Sequence, residues 1–172
     1  MLTQARLKEV LDYNPSTGIF IWKQRKIKDF KSIRAMNTLN SRYIGKESGT
    51  KRPDGYIAIS IDKKTYLAHR LAWFYIYGYF PEYIDHVNMN KSDNRAANIR
   101  IASKTENGQN IKKCRSHNKT KLLGVSFFKR DKTFRARIVV NGVENHIGYF
   151  LTPKEAHNAY LVSKKELHPF SN

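Results

Sequence analysis

Residues 85 to 100 read DHVNMNKSDNRAANIR, and the stretch runs on through Ser103 and Glu106 to Asn107. Short apolar pairs, Ile84 with Val87 and Ile99 with Ile101, bracket a polar run, the pattern of two short strands joined by a long polar loop. Ser103 and Glu106 are spaced as a capping box, which predicts a helix from about Ser103. Asp85 and His86 place a carboxylate beside an imidazole, and Asn98 and Asn107 add two side-chain amides downstream. Hydrolysis of a phosphodiester needs an activated water, a cation to neutralise developing charge, and stabilisation of the leaving oxygen. If hairpin and helix fold together, Asp85 and Asn107 can share one hard cation through oxygen, as suits Mg²⁺. Neighbouring strand residues point to opposite faces, so Asp85 and His86 need an irregular backbone between them to serve one site.

Upstream, YIAISI at 56 to 61, a DKK turn and TYLA at 65 to 68 read as a hairpin, and HRLAWFYIYGYF at 69 to 80 reads as a core helix rich in aromatics. Its apolar run, residues 71 to 80, is too short for the roughly 20 residues of a membrane span. At the start, Leu2, Leu7, Val10 and Leu11 have helical spacing, interrupted by charges where a secretory signal would be continuously apolar. NPSTG at 14 to 18 is a turn signal and GIFIWK at 18 to 23 a strand. Residues 24 to 54 are basic and polar, broken by Gly45, Gly49 and Pro53, and are expected to be irregular or exposed, with phosphate as a candidate contact.

Downstream of Leu123, GVSFFKR, TFRARIVV and ENHIGYF are three strand-like runs with turn signals at Asp131 and at Asn141-Gly142. TPKEAHNAYLVSKKEL then carries a capping box in Thr152 and Glu155, with Pro153 at the first helical position. A three-stranded antiparallel sheet covered by one helix is expected.

The 172 residues include 32 Lys and Arg against 14 Asp and Glu, a formal net charge of +18 spread along the chain. A polyanion is the expected partner, nucleic acid first. Cys114 is the single cysteine, which excludes an internal disulfide framework and any zinc site built from several thiolates. Neither Cys114 nor His117 has a partner at zinc spacing. His69 opens the aromatic helix and is read as structural or phosphate-contacting.

The central stretch resembles the HNH endonucleases, the phage and intron-homing type in particular, through HRLAW at 69 to 73, DHVNMNKSDNRAANIR at 85 to 100, and Glu106, Asn107 and Asn110. The resemblance implies a ββα-metal core in which Asp85 and Asn107 bind the cation, Mg²⁺ or another divalent ion such as Mn²⁺, and His86 is the general base. Asn98 matches the motif's central asparagine and would hold the loop so that His86 faces the water. The family usually has glycine where this chain has Met89. Residues Gly124 to His168 resemble the AP2 DNA-binding domain through GV at 124 to 125, FRARI at 134 to 138, IGYF at 147 to 150 and TPKEAHNAY at 152 to 160. Alternation along TFRARIVV puts Phe134, Ala136, Ile138 and Val140 on the helix-facing side and Arg135, Arg137 and Val139 on the other. Arginine suits guanine in the major groove, while Lys129, Arg130 and Lys132 at the first turn suit phosphate. Ser126, Val139, Glu144 and His146 depart from the family's DNA-facing residues, so its target preference does not transfer.

The expectation is therefore an α+β protein with a helix and strand region at 1–50, a nuclease core at 51–112, a basic linker at 113–122 and an AP2-like domain at 123–172. It would hydrolyse double-stranded DNA to 5′-phosphate and 3′-hydroxyl ends, by nick or double-strand cut, as a monomer or weak dimer. The expected setting is the cytoplasm, for instance of a phage-infected bacterium, with no membrane and no small-molecule cofactor. The alternative is a non-enzymatic, sequence-specific DNA-binding regulator on an inactive HNH scaffold. Retention of Asp85, His86, Asn98 and Asn107 together argues for the enzyme.

Overall fold

Thr3 caps the first helix, α1 (Gln4–Val10), by accepting from the Arg6 amide, and the helix buries Leu7 and Val10. The chain passes directly into β1 (Leu11–Asn14), which pairs antiparallel with β2 (Ile19–Trp22) across the NPSTG turn. The sequence reading assigned Leu11 to the helix and missed β1. Leu11 and Tyr13 are buried at the two-residue period of a strand, and four residues are too few for that period to stand out from the helical spacing before it. A second miss is α2 (Ile33–Tyr43), which lies inside the stretch expected to be irregular and is capped by Ser32 accepting from the Ala35 amide.

Strands β3 (Thr50–Lys51), β4 (Ile57–Ile61) and β5 (Lys64–Leu67) form an antiparallel sheet in that order. The β4–β5 turn places Asp62 and Lys63 at φ 47° and 63°, the left-handed pair that a two-residue hairpin loop demands. Helix α3 (Ala68–Tyr77) comes next and ends where Gly78 enters the left-handed region at φ 81°. Strands β6 (Ile84–His86) and β7 (Ile99–Ile101) then pair antiparallel around the polar loop, with Asp85 opposite Arg100 and His86 opposite Ile99. One hydrophobic core joins these pieces: Leu7 and Val10 of α1, Leu11 and Phe20 of the first hairpin, Ile59 of β4, Leu71 of α3 and Ile99 of β7.

The remaining elements are α4 (Lys104–Gln109), β8 (Val125–Phe128), β9 (Thr133–Val140), β10 (Val143–Phe150) and α5 (Pro153–Leu167). Ser103 and Glu106 exchange both capping-box bonds at α4, and Thr152 and Glu155 do so at α5. The sheet order is β10-β9-β8, all antiparallel. Its core consists of Val125, Ala136 and Ala156, with Leu122, Phe134, Ile147 and Phe150 around them. The protein is thus α+β with small antiparallel sheets.

The structure is a computed structural model that describes residues 1–109, 114, 116 and 118–170. These divide into two compact units, Met1–Ile101 and Ala102–Asn172. The N-terminal helix and hairpin share their core with α3 and β7, so residues 1–50 do not stand apart from the rest of the first unit. Helix α4 belongs to the second unit, where Gln109 Oε1 accepts from the Phe170 amide at 3.3 Å. The division between the two units falls before α4. Within the stretch 113–122 Asn118 ties a local turn, donating to the Leu122 carbonyl at 2.8 Å and accepting from the Thr120 amide at 2.9 Å. Asn110 and His117 lie outside the described residues. Among the described residues no helix is long and apolar enough to cross a membrane.

Candidate active site

The loop between β6 and β7 is held by its last residue. Asn98 is buried; its Oδ1 accepts from the Asn88 amide at 2.9 Å and its Nδ2 donates to the Asp93 carbonyl at 2.8 Å. Its backbone carbonyl accepts from Val87 at 2.8 Å, so one residue pins both limbs of the loop. The entry turn closes with the Met89 amide donating to the His86 carbonyl at 2.9 Å, and Met89 stands at φ 64°. A side chain in that region costs roughly 1 to 2 kcal/mol, which is why glycine would be at home here. The exit limb is clasped by the first hairpin. Tyr13 Oη donates to the Asn94 carbonyl at 2.8 Å, the Ala96 amide donates to the Pro15 carbonyl at 2.9 Å, and a Cβ on Gly18 would meet Arg95 N at 2.4 Å.

Asn98→Ala is expected to lower stability by about 1 to 3 kcal/mol, because it removes two bonds made by a buried side chain and leaves a part-buried amide and carbonyl unpaired. Urea denaturation measures it. A loss below about 0.5 kcal/mol, the level of an ordinary surface substitution, would mean that the loop is held by other contacts.

Asp85 and His86 project from β6 into different surroundings. Asp85 Oδ2 accepts from Arg100 Nη2 at 2.9 Å and Nε at 3.2 Å, an ion pair set by their opposition across β6 and β7. His86 is buried, its ring 4.9 Å from that of His69 in an edge-on contact and 5.9 Å from that of Tyr56. Tyr56 also packs on His69 at 5.1 Å, and Lys91 Nζ lies 4.8 Å above the Tyr56 ring. Burial lowers the His86 pKa, opposed by the Asn94 side chain and the charges of Asp85 and Asp93. Burial first, then the neighbouring His86 and Arg70, pulls His69 down to about 3. Burial thus favours the neutral form of both imidazoles.

For His69 the sign is set by burial. Its folded pKa lies below that of the unfolded chain, roughly 6.5, so its contribution is fully present above that value and is lost as pH falls toward about 3. At pH 5 the loss amounts to about 2 kcal/mol. Urea denaturation at pH 7 and pH 5 should show that decline in the wild type and a shallower one in His69→Phe, which keeps an aromatic ring but cannot titrate. Equal slopes would show that His69 is not the group responsible.

Asn107 sits on α4 in the second unit, and its buried Oδ1 has no hydrogen-bond partner among the described residues. Among the described residues no group of three or more His, Cys, Asp and Glu side chains is arranged to hold a metal ion.

The sheet in the second unit has the expected alternation: Ala136 and Ile138 are buried while Arg137 and Val139 are exposed. Register places Arg135 between Ser126 and Tyr149, and Arg137 opposite His146. The sequence reading noted Glu144 only as a departure and missed its effect. Its carboxylate bonds Arg137 and lies 3.9 Å from Arg135 Nη1, so one acid faces both arginines, which only the β9–β10 register reveals. At the β8–β9 turn Lys129 is exposed, Arg130 pairs with Asp131 at 2.9 Å and stacks on Phe128, and Lys132 takes φ 52°.

Comparison with known proteins adds three findings. An uncharacterized HNH endonuclease of Acanthamoeba polyphaga mimivirus is 30% identical over 128 residues, which are 73% of this chain and 61% of that relative. No solved structure matches the chain. Residues 66–109, which include Asp85, His86, Asn98 and Asn107, match the family model of HNH endonucleases.

Proposed function

We propose that the chain is a metal-dependent DNA endonuclease of the homing or phage HNH type, hydrolysing phosphodiester bonds in double-stranded DNA to 5′-phosphate and 3′-hydroxyl ends. The observation that carries this reading is His86, a buried imidazole whose neutral form burial favours, next to a carboxylate and within the residues that match the HNH family. A neutral imidazole can accept the proton of an attacking water, and the loop fixed by Asn98 keeps its backbone in place. Asp85 and Asn107 are the proposed cation ligands. Carboxylate and amide oxygens suit a hard ion, and a buried oxygen without a partner among the described residues, as in Asn107, is one that a cation would satisfy. Mg²⁺ or a similar ion such as Mn²⁺ would there neutralise charge developing on the phosphate. Arg100 competes for Asp85 Oδ2, so the carboxylate must share its oxygens or release the guanidinium when it takes a cation. The C-terminal sheet and helix act, in this reading, as an AP2-like DNA-binding domain, and the protein works in the cytoplasm as a monomer or weak dimer.

The test is incubation with supercoiled plasmid with Mg²⁺, with Mn²⁺ and in strong chelator. Nicked or linear product only in the metal arms supports the proposal, and cleavage in chelator refutes the cation. The Asp85–Arg100 pair favours a second reading, a DNA-binding regulator in which the site is closed. Tight binding with no cleavage in either metal would establish that instead.

Glu144→Gln removes the acid facing Arg135 and Arg137 while preserving its shape. We expect it to tighten DNA binding and to steepen the fall of log affinity with log salt by about 0.9 for each additional phosphate engaged. A salt titration of binding in chelator measures both, and an unchanged slope and affinity would remove the sheet face from the interface.

A further inference from the structure

The basic stretch between β2 and β4 has no part in the site described above, and α2 lies within it. Residues 23 to 52 hold ten Lys and Arg against two acids, Asp29 and Glu47. Asp29 is already bound to Arg6 at 2.8 Å, so little negative charge opposes the excess. The helix is anchored on one side only. Ala35, Met36, Leu39, Asn40 and Tyr43 turn inward to varying depth, and Asn40 is the single buried residue. Its amide clamps the Arg25 backbone, accepting from N at 3.0 Å and donating to O at 2.9 Å.

The opposite side of α2 is exposed at Arg34, Asn37, Thr38 and Ser41. These positions are spaced i, i+3, i+4 and i+7, one continuous stripe on a helix. Arg42 flanks the stripe with its guanidinium on Tyr43. No acid lies on it, and Ile33, exposed in the first turn, borders it on the side away from Arg42. Thr38 and Ser41 spend their hydroxyl protons on the Arg34 and Thr38 carbonyls, at 2.9 and 3.0 Å, which leaves them as acceptors. A phosphate, which is all acceptor, gains nothing from those two side chains. Base edges offer both donors and acceptors, and the major groove is wide enough to admit a helix.

We infer that α2 enters the major groove of duplex DNA, with Arg34 and Asn37 reading base edges and Arg42 holding phosphate. The inference rests on the reading of the chain as a protein that acts on DNA. It adds a second sequence-reading element, far in the chain from the C-terminal sheet. Arginine and asparagine are the side chains that pair in two-pronged fashion with guanine and adenine, and charge complementarity supplies the docking.

The experiment selects preferred sites from a pool of random duplexes with the full-length protein in chelator, so that no cleavage occurs, and repeats the selection with Asn37→Ala and Arg42→Ala. Both side chains are exposed, so the variants fold. Asn37→Ala is expected to lose preference at one or two adjacent positions of the selected site while binding scrambled duplex as the wild type does. Arg42→Ala should weaken all sequences alike and lower the salt slope by about 0.9. If Asn37→Ala selects the same site as the wild type, α2 does not read bases and the inference is overturned. If the wild type itself binds no duplex, the reading of the whole chain has failed, and the two failures are thereby told apart.

Discussion

Replacing His86 with alanine is expected to slow DNA cleavage by about 10²- to 10⁴-fold, the usual worth of a positioned general base. DNA affinity should be unchanged, because His86 is buried among His69, Tyr56 and the loop backbone and offers little surface to a ligand. The substitution also leaves a hole beside two aromatic rings, so the variant must be shown to melt cooperatively before its rate is read. His86→Gln, which fills more of the space but accepts a proton poorly, guards against misreading a folding defect. Plasmid nicking and binding to the same DNA, measured side by side, decide the matter. Near-normal cleavage by a folded His86→Ala protein would take the histidine out of the chemistry.

The second large effect is structural. Gly124 stands at φ 72°, and a Cβ there would lie 2.0 Å from Tyr160 Cδ2. Its carbonyl also receives the Arg137 amide at 2.9 Å, so the backbone cannot simply withdraw. Tyr160 is itself buried against the sheet. Gly124→Ala therefore combines a left-handed residue with overpacking, at a cost of about 2 to 5 kcal/mol. A unit with so small a core has little to spare. The expected result is selective melting of Ala102–Asn172, monitored by calorimetry or by proteolysis with mapping of the surviving fragment, together with weaker DNA binding. A variant as stable as the wild type would show that Tyr160 does not occupy this position.

Much of the fold was legible in the sequence because local signals agreed. The capping boxes at Ser103 and Thr152, the Asp62-Lys63 turn and the alternation in β9 each rest on side chains within a few residues of one another. Helix α2 was not legible, since its anchor is a polar residue, Asn40, reaching a backbone fifteen positions away, and its apolar stripe is thin. Strand β1 was hidden by the helix that runs straight into it. At the candidate site, Met89 was readable as a residue occupying a glycine position, and its φ of 64° gives the physical meaning of that departure. The Asp85–Arg100 pair and the placement of Glu144 beside two arginines depend on strand register, which no local pattern supplies.

The clasp of the first hairpin on the loop bears on how the HNH-like segment could be moved or trimmed. Residues 66–109 are what a family comparison recognises, yet Leu7, Val10, Leu11 and Phe20 bury the inner side of α3 and β7, and Tyr13, Pro15 and Gly18 fix the run from Asn94 to Ala96. The recognisable segment is consequently not a portable one. Grafted alone into another protein, it would carry its polar residues without the apolar partner that gives them a shape, and any shortened version of the first unit has to begin upstream of α1.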